Sequence, residues 1–258
     1  MFGTYFYNKN IRNIVILFGT VFNNIGVRRV NASDVVQEEF KVPIAYGPSE
    51  KFLVRLRQAT DVSKGKIGLT LPRMSFEFTA ITYDAARKQQ TTKRFKKVKS
   101  GDNTVLTSVY NPVPYNFDFT LSVMVKNSDD GSQVLEQILP YFTPEYQVTM
   151  NEMSTMGIKR DIPIIFTGLS TEDSYEGDFL TRRAIIHTLT FTVQGYMYGP
   201  SGDTEIIRTV NVDTSMDASP DLGTTKGFHE TRMTKTPNPT DATPNDDYGF
   251  TETQTDIG

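Results

Sequence analysis

The sequence predicts an α+β fold, a mixed and largely antiparallel sheet flanked by helices gathered on one face, with an extended C-terminal arm. Three observations carry that expectation. Tyr115, Phe117, Phe119, Leu121, Val123 and Val125 alternate with Asn116, Asp118, Thr120 and Ser122, the period of two of a strand with one buried face. The polar turn Asn127 to Ser132 then offers capping side chains to a helix whose apolar stripe is Val134, Leu135, Ile138 and Leu139. Pro140 ends that helix, because it lacks an amide donor and clashes with the preceding turn. A strand followed by a helix docked on its apolar face is the seed of a layered core. Third, beyond Gly199 the chain becomes rich in Gly, Pro, Thr, Asp and Asn, and its acids outnumber its bases.

The remaining elements follow in order. Ile11, Ile14, Val15, Phe18, Val21, Phe22 and Ile25 recur at three- and four-residue intervals, which predicts an amphipathic helix stopped by Gly26. Gly19 in its middle weakens it by roughly 1 kcal/mol relative to Ala, and a close approach by a neighbouring element would account for its presence. The charged stretch Arg28 to Glu39 reads as strand or loop. Gly47-Pro48-Ser49-Glu50 opens a second helix with apolar Phe52, Leu53 and Leu56. Met74, Phe76, Phe78 and Ala80 form a strand, with Pro72 near its start. Met150, Met153 and Met156, three apart, predict a short helical turn on the core. Ile162, Ile164 and Phe166 form a further strand. So do Ile185, His187, Leu189, Phe191 and Val193. In the polar tail only Glu205 to Val212 has strand character, and the rest is expected to be disordered when free. The expected division is a globular domain over 1–200 and an acidic extended arm over 201–258.

Composition removes several kinds of chemistry. With no cysteine, disulfide scaffolds, thiolate metal sites and cysteine nucleophiles are excluded. A net charge of −3 names no partner. No segment approaches the roughly 20 apolar residues that span a bilayer, and the start lacks the pattern of a signal peptide, so no membrane is expected as a partner. His187 lies in an apolar strand row, where a satisfied, half-buried side chain is the expectation. His229 stands in the polar tail without a second histidine nearby. Lys64 to Gly68 lacks the phosphate-loop pattern, no G-x-S-x-G elbow occurs, and no metal spacing is credible. No catalytic residue, metal or cofactor is therefore expected, and the balance tilts toward a binding or structural protein.

One segment differs in kind. Arg87 to Lys99 reads RKQQTTKRFKKVK and holds seven bases without an acid: Arg87, Lys88, Lys93, Arg94, Lys96, Lys97 and Lys99. It is expected as a loop, either a solvated hairpin tip or a face for an acidic partner or nucleic-acid backbone. A basic internal loop and an acidic tail on one chain invite head-to-tail contacts between copies. The alternative is a non-specific nucleic-acid-binding module in which Phe95 and nearby aromatics assist the basic loop.

Five blocks, in order, resemble a known family. They are MFGTYFYNKNIRNIVILFGTVFNNI, FKVPIAYGPSEKFLVRL, YNPVPYNFDFTLSVMV with VLEQILPYF, KRDIPIIF, and RRAIIHTLTFTVQGYMYGP. They resemble the tail sheath stabiliser, or tail completion, proteins of contractile-tailed phages of the T-even type. Val134 to Phe142 is the most specific match, and the resemblance covers most of residues 1 to about 200. It implies a tail-terminator-like fold, a mixed sheet flanked by helices, without catalytic residues. It also implies a homo-hexameric ring at the head-proximal end of the tail. The implied partners are the tail sheath protein, the tube-terminator protein and the head or neck completion proteins. Genomic DNA would pass through the channel without sequence-specific binding. The implied location is the neck of the virion, and the host cytoplasm during assembly. On this reading the seven bases face the channel or a partner. Gln133, Glu136 and Gln137 on the outer helix face, with Arg182 and Arg183, are candidate subunit contacts. Glu205, Ile206, Ile207 and Arg208 are a candidate arm strand that adds to a neighbouring subunit or to the sheath.

Overall fold

In the computed structural model the first apolar stripe folds as α1 (Asn10–Val21), and Gly26 begins the next strand instead of only stopping the helix. The structure describes residues 5–31, 33, 35–58, 70–99, 102–174, 184–217, 228–242 and 246–256. The charged stretch after α1 is a hairpin of β1 (Gly26–Val30) and β2 (Val36–Lys41). Then come β3 (Ile44–Tyr46), α2 (Ser49–Gln58) and β4 (Arg73–Tyr83). The second half of the basic run is β5 (Arg94–Lys99), paired antiparallel with β6 (Asp102–Tyr110). The alternating stretch is β7 (Val113–Val125), and its helix is α3 (Ser128–Ile138), closed by one 3-10 turn at Leu139–Tyr141. Three long strands follow: β8 (Glu145–Met153), β9 (Ile158–Ser174) and β10 (Ala184–Met197). The last four are β11 (Gly202–Glu205), β12 (Val210–Asp217), β13 (Phe228–Asn238) and β14 (Gly249–Asp256).

The chain divides into two units, Met1–Thr91 with Pro112–Gly199, and Thr92–Asn111 with Pro200–Gly258. The first holds a six-stranded sheet in the order β3-β4-β7-β10-β9-β8. Only β3 and β4 run parallel; every other neighbouring pair is antiparallel. The mixed, largely antiparallel sheet is thus as expected, but strands dominate over helices more than expected.

One face of this sheet is the core. Phe117, Phe119, Leu121, Val123 and Val125 of β7 are all buried, in register with Val193, Phe191, Leu189, His187 and Ile185 of β10. The buried stripe of α1, Ile14, Phe18 and Phe22, crosses them, and Val134 and Ile138 of α3 join the same cluster. The Phe18 ring lies stacked on Phe119 with centroids 4.5 Å apart, edge-on to Phe191 at 5.5 Å. Offset and edge-to-face pairs of this kind add about 0.5–1.5 kcal/mol each beyond their area burial. Phe52 of α2 packs with Met124 and Ile186, whose parity puts them on the opposite face. The helices are therefore not all on one face: α2 covers the far side at one end.

The methionine-rich stretch is a correction. Met150 and Met153 lie in β8, a strand paired with β9, and Met156 in the turn that follows. The pairing slips between Asn151 and Met153, and this irregularity disguises the alternation Tyr146, Val148, Met150 as a spacing of three.

The second unit corrects the expectation for the tail. Among the described residues beyond 200 lie four strands, which with β5 and β6 form two three-stranded sheets ordered β11-β6-β5 and β12-β13-β14. Arg232 bridges Asp213 with two bonds of 2.7 and 2.8 Å, and Lys235 meets Glu252 at 3.3 Å. Cross-strand charge pairing here takes the place of an apolar stripe.

Two glycines mark where α1 meets the sheet. A Cβ on Gly19 would stand 2.7 Å from the Phe76 ring, and one on Gly195 would stand 2.8 Å from both Ile14 and Phe117. Overpacking of this kind costs about 1–3 kcal/mol. Gly195→Ala is therefore expected to lower stability by that amount in denaturant unfolding. Gly19→Ala should cost less, because about 1 kcal/mol of helix propensity offsets the clash.

Candidate interaction sites

The basic run does not form one loop. Arg87, in the turn after β4, donates to Asp84 Oδ2 (2.7 Å), Asn116 Oδ1 (2.7 Å) and the Tyr115 carbonyl (3.2 Å). Its guanidinium also lies over the Tyr196 ring, 5.1 Å from the centroid. The hydrogen bond from Arg87 holds the Asp84 carboxyl below its ordinary range. Arg87 is thus a structural residue of the first unit. Lys88 is exposed nearby.

The other bases belong to the second unit. Arg94 bonds the Tyr110 hydroxyl, and Lys93 lies over the Phe95 ring. Lys99 bridges Asp203 at 2.7 Å, and this hydrogen bond lowers the Asp203 carboxyl. Lys93, Lys96 and Lys97 expose their side chains, the last two along β5. A strand, unlike a loop, spaces these charges at fixed intervals along one edge of a sheet, since β5 is the last strand in the order β11-β6-β5.

The helix face formed by Gln133, Glu136 and Gln137 divides its labour. Gln133 donates to the Arg28 carbonyl (2.9 Å) and accepts from the Arg28 amide (3.0 Å). Gln137 does the same for Gly26, at 2.7 and 3.3 Å. Two carboxamides one helical turn apart thus read alternate residues of β1 as a neighbouring strand would. Arg29, next along β1, donates to Asp130 Oδ2 (3.0 Å), a carboxylate buried on α3. Glu136 alone of the three is exposed with no bond to β1. Arg182 and Arg183 lie outside the described residues. Glu205 ends β11, paired with Val105, whereas Ile206, Ile207 and Arg208 connect β11 to β12 rather than forming a strand. Ile207 is 83% exposed, and Arg208 donates to the Thr240 carbonyl (3.2 Å).

A buried polar cluster escaped the sequence reading. Glu152 Oε2 accepts from the Tyr198 hydroxyl (2.7 Å) and pairs with Arg160 Nε (3.2 Å), while Oε1 makes no hydrogen bond. The Asn10 amide donates to the Glu152 and Asn8 carbonyls (2.8 and 3.1 Å). Burial pushes the Glu152 carboxyl up, against the pull of Tyr198 and Arg160, and burial also pushes the Tyr198 phenol up. One signal was present: Glu152 continues the inward row Tyr146, Val148, Met150. His187 is buried rather than half-buried and only partly satisfied, with Nδ1 2.9 Å from the Thr171 hydroxyl and Nε2 without a partner; burial lowers its pKa. Among the described residues no three acidic, histidine or cysteine side chains converge as a metal site.

Two outcomes follow. Gln133→Ala and Gln137→Ala should each cost about 1 kcal/mol, and should raise amide exchange at Gly26 and Arg28. For Glu152, a folded pKa above the ordinary 4.5 means the native state binds the extra proton. Its contribution to stability is then lost as pH rises from about that value through the folded pKa. Glu152→Gln should accordingly gain in melting temperature relative to the parent protein as pH rises from 4 to 8. A difference independent of pH would contradict this.

The fold and these surfaces can be set beside known proteins. The family model described as T4-like virus Myoviridae tail sheath stabiliser matches residues 5–257. The chain is also similar to the tail completion protein of Enterobacteria phage T4, with 36% identity over 220 residues, 83% of this chain and 79% of that protein. Spanning both units, the match establishes that the chain belongs to the tail sheath stabiliser family of T4-like contractile-tailed phages, structural proteins of the virion.

Proposed function

We propose that the protein forms a hexameric ring at the head-proximal end of the contractile tail. There it stabilises the last sheath ring, caps the tube, and offers the head or neck its attachment surface. Genomic DNA passes through the channel. The observation that carries this reading is the family match along both units. The sheet supports it too, since β3 and β8 are its outermost strands and present backbone groups for further contacts.

The partners are other copies of this chain, the sheath protein, the tube terminator and the neck proteins, met in the host cytoplasm and retained at the neck. Lys88, Lys93, Lys96 and Lys97 provide positive charge toward the channel or toward an acidic neighbour. Attraction to a phosphate backbone is independent of sequence and weakens with salt, as a conduit for a whole genome requires. Ile207, on its exposed connector, offers an apolar anchor to a sheath or ring neighbour, and Glu136, Arg182 and Arg183 are contacts between subunits.

Light scattering and negative-stain imaging of the purified protein and of tails should show a six-fold ring at the tail end. A strict monomer at high concentration, with no ring on tails, would overturn the reading. Reversing Lys93, Lys96 and Lys97 to Glu should leave the fold intact but impair head joining or DNA delivery. Normal delivery by that variant would leave the basic edge as a solvated surface.

A further inference from the structure

Two unsatisfied surfaces of the first unit complement each other. One is the segment before α1: Tyr5, Phe6 and Tyr7 are 90%, 49% and 59% exposed. This segment is pinned where it ends, because the Asn8 amide donates to the carbonyls of Tyr198 (3.0 Å) and Gly199 (3.1 Å). The other surface is a groove between α1, β8 and the 3-10 turn. It consists of two adjoining cavities of about 580 and 610 Å³ that share Val21 and Tyr146 as walls. Phe22, Pro140 and Phe142 line one, and Leu17, Val148 and Met150 the other. At the mouth Tyr141 is 67% exposed and Ile16 54%.

We propose that the aromatic segment Tyr5–Tyr7 of one copy seats in the α1–β8 groove of a second copy, a head-to-tail contact. Three features select this occupant. The charges match: Lys9 and Arg12 beside the segment are exposed, as is Glu136 on the groove wall, and none of the three makes an ion pair among the described residues. The backbone matches as well, since β8 is an edge strand whose outer amides and carbonyls can pair with an extended segment. The area suffices: three aromatic side chains supply on the order of 500 Å². With the groove wall this approaches the roughly 1,000 Å² that a specific interface needs.

The geometry also sets the outcome of repetition. The segment leaves from the start of α1 and the groove lies along its second half, with a helix of 12 residues, about 18 Å, between its ends. Each copy therefore gives one segment and receives another through different surfaces. A contact of that type propagates from copy to copy, and closes into a ring when its rotation divides a full turn. The inference deepens the ring reading and rests on it for closure, whereas the contact itself can be tested between two copies.

The absence of native cysteine makes the test direct. Full-length chains carrying Tyr5→Cys are mixed with chains carrying Tyr141→Cys under mild oxidation. A mixture with Tyr83→Cys chains, exposed elsewhere on the sheet, serves as control. Tyr5→Cys and Tyr141→Cys chains should cross-link to each other and not to the control, and a chain bearing both should give a ladder of oligomers. Arg12→Glu or Glu136→Lys alone should lower the yield about threefold, and mixing the two variants so that the reversed charges meet should restore it. Closure of the doubly substituted chain on itself would overturn the proposal. Rings seen by negative stain without this cross-link would overturn the contact and leave the ring reading standing. A cross-link without rings would support the contact and count against the ring. A monomer that never cross-links would remove both.

Discussion

Phe18 lying flat on Phe119 is the contact on which the first unit depends. It brings α1 so close to the sheet that positions 19 and 195 have no room for a methyl group. Around it Phe22, Phe76, Phe142 and Phe191 meet in tilted, stacked and edge-on pairs, so one helix is locked against three strands and the end of the 3-10 turn. Because aromatic rings are rigid and bulky, this arrangement has few alternative packings. The crossing of α1 is thereby specified together with the sheet order.

Around that centre the polar and charged groups act mainly as fasteners. Gln133, Gln137 and the Arg29–Asp130 pair tie the β1–β2 hairpin to α3. Arg87 ties the turn after β4 to the start of β7, and the Glu152 cluster ties β8 to the end of β10 and to Asn10. Asp130 and Glu152 are buried, and a buried carboxylate left without its partners carries a large desolvation cost, so these two fasteners restrain their strands more firmly than an exposed pair could.

Legibility in the sequence followed the hydrophobic effect closely. β4, β7 and β10 have one buried and one polar face, and their alternation announced them; α1 and α3 were announced by their stripes. β8 was misread because a register slip replaced a period of two by a spacing of three methionines. The strands beyond residue 200 were missed for another reason. β14 is exposed along its whole length, and a strand hydrated on both faces carries no hydrophobic period. The interaction sites were less readable still. Seven bases in a row looked like one feature, yet pairing with Asp84, Tyr110 and Asp203 assigns them to different elements. No local pattern distinguishes a glutamine that binds a strand 105 residues away from one that faces solvent.

The order of segments along the chain has a consequence for biosynthesis. The six-stranded sheet is complete once Met197 has been made, but the β5–β6 hairpin waits for β11, which lies beyond residue 200. A nascent chain therefore finishes its first unit while this hairpin is still unmatched, and its second unit later. Until β11 has been made, a nascent chain that contains the hairpin carries an open strand edge at β6. Chains that stop early would hold a finished aromatic core and an adhesive edge, a combination prone to misassembly among newly made copies.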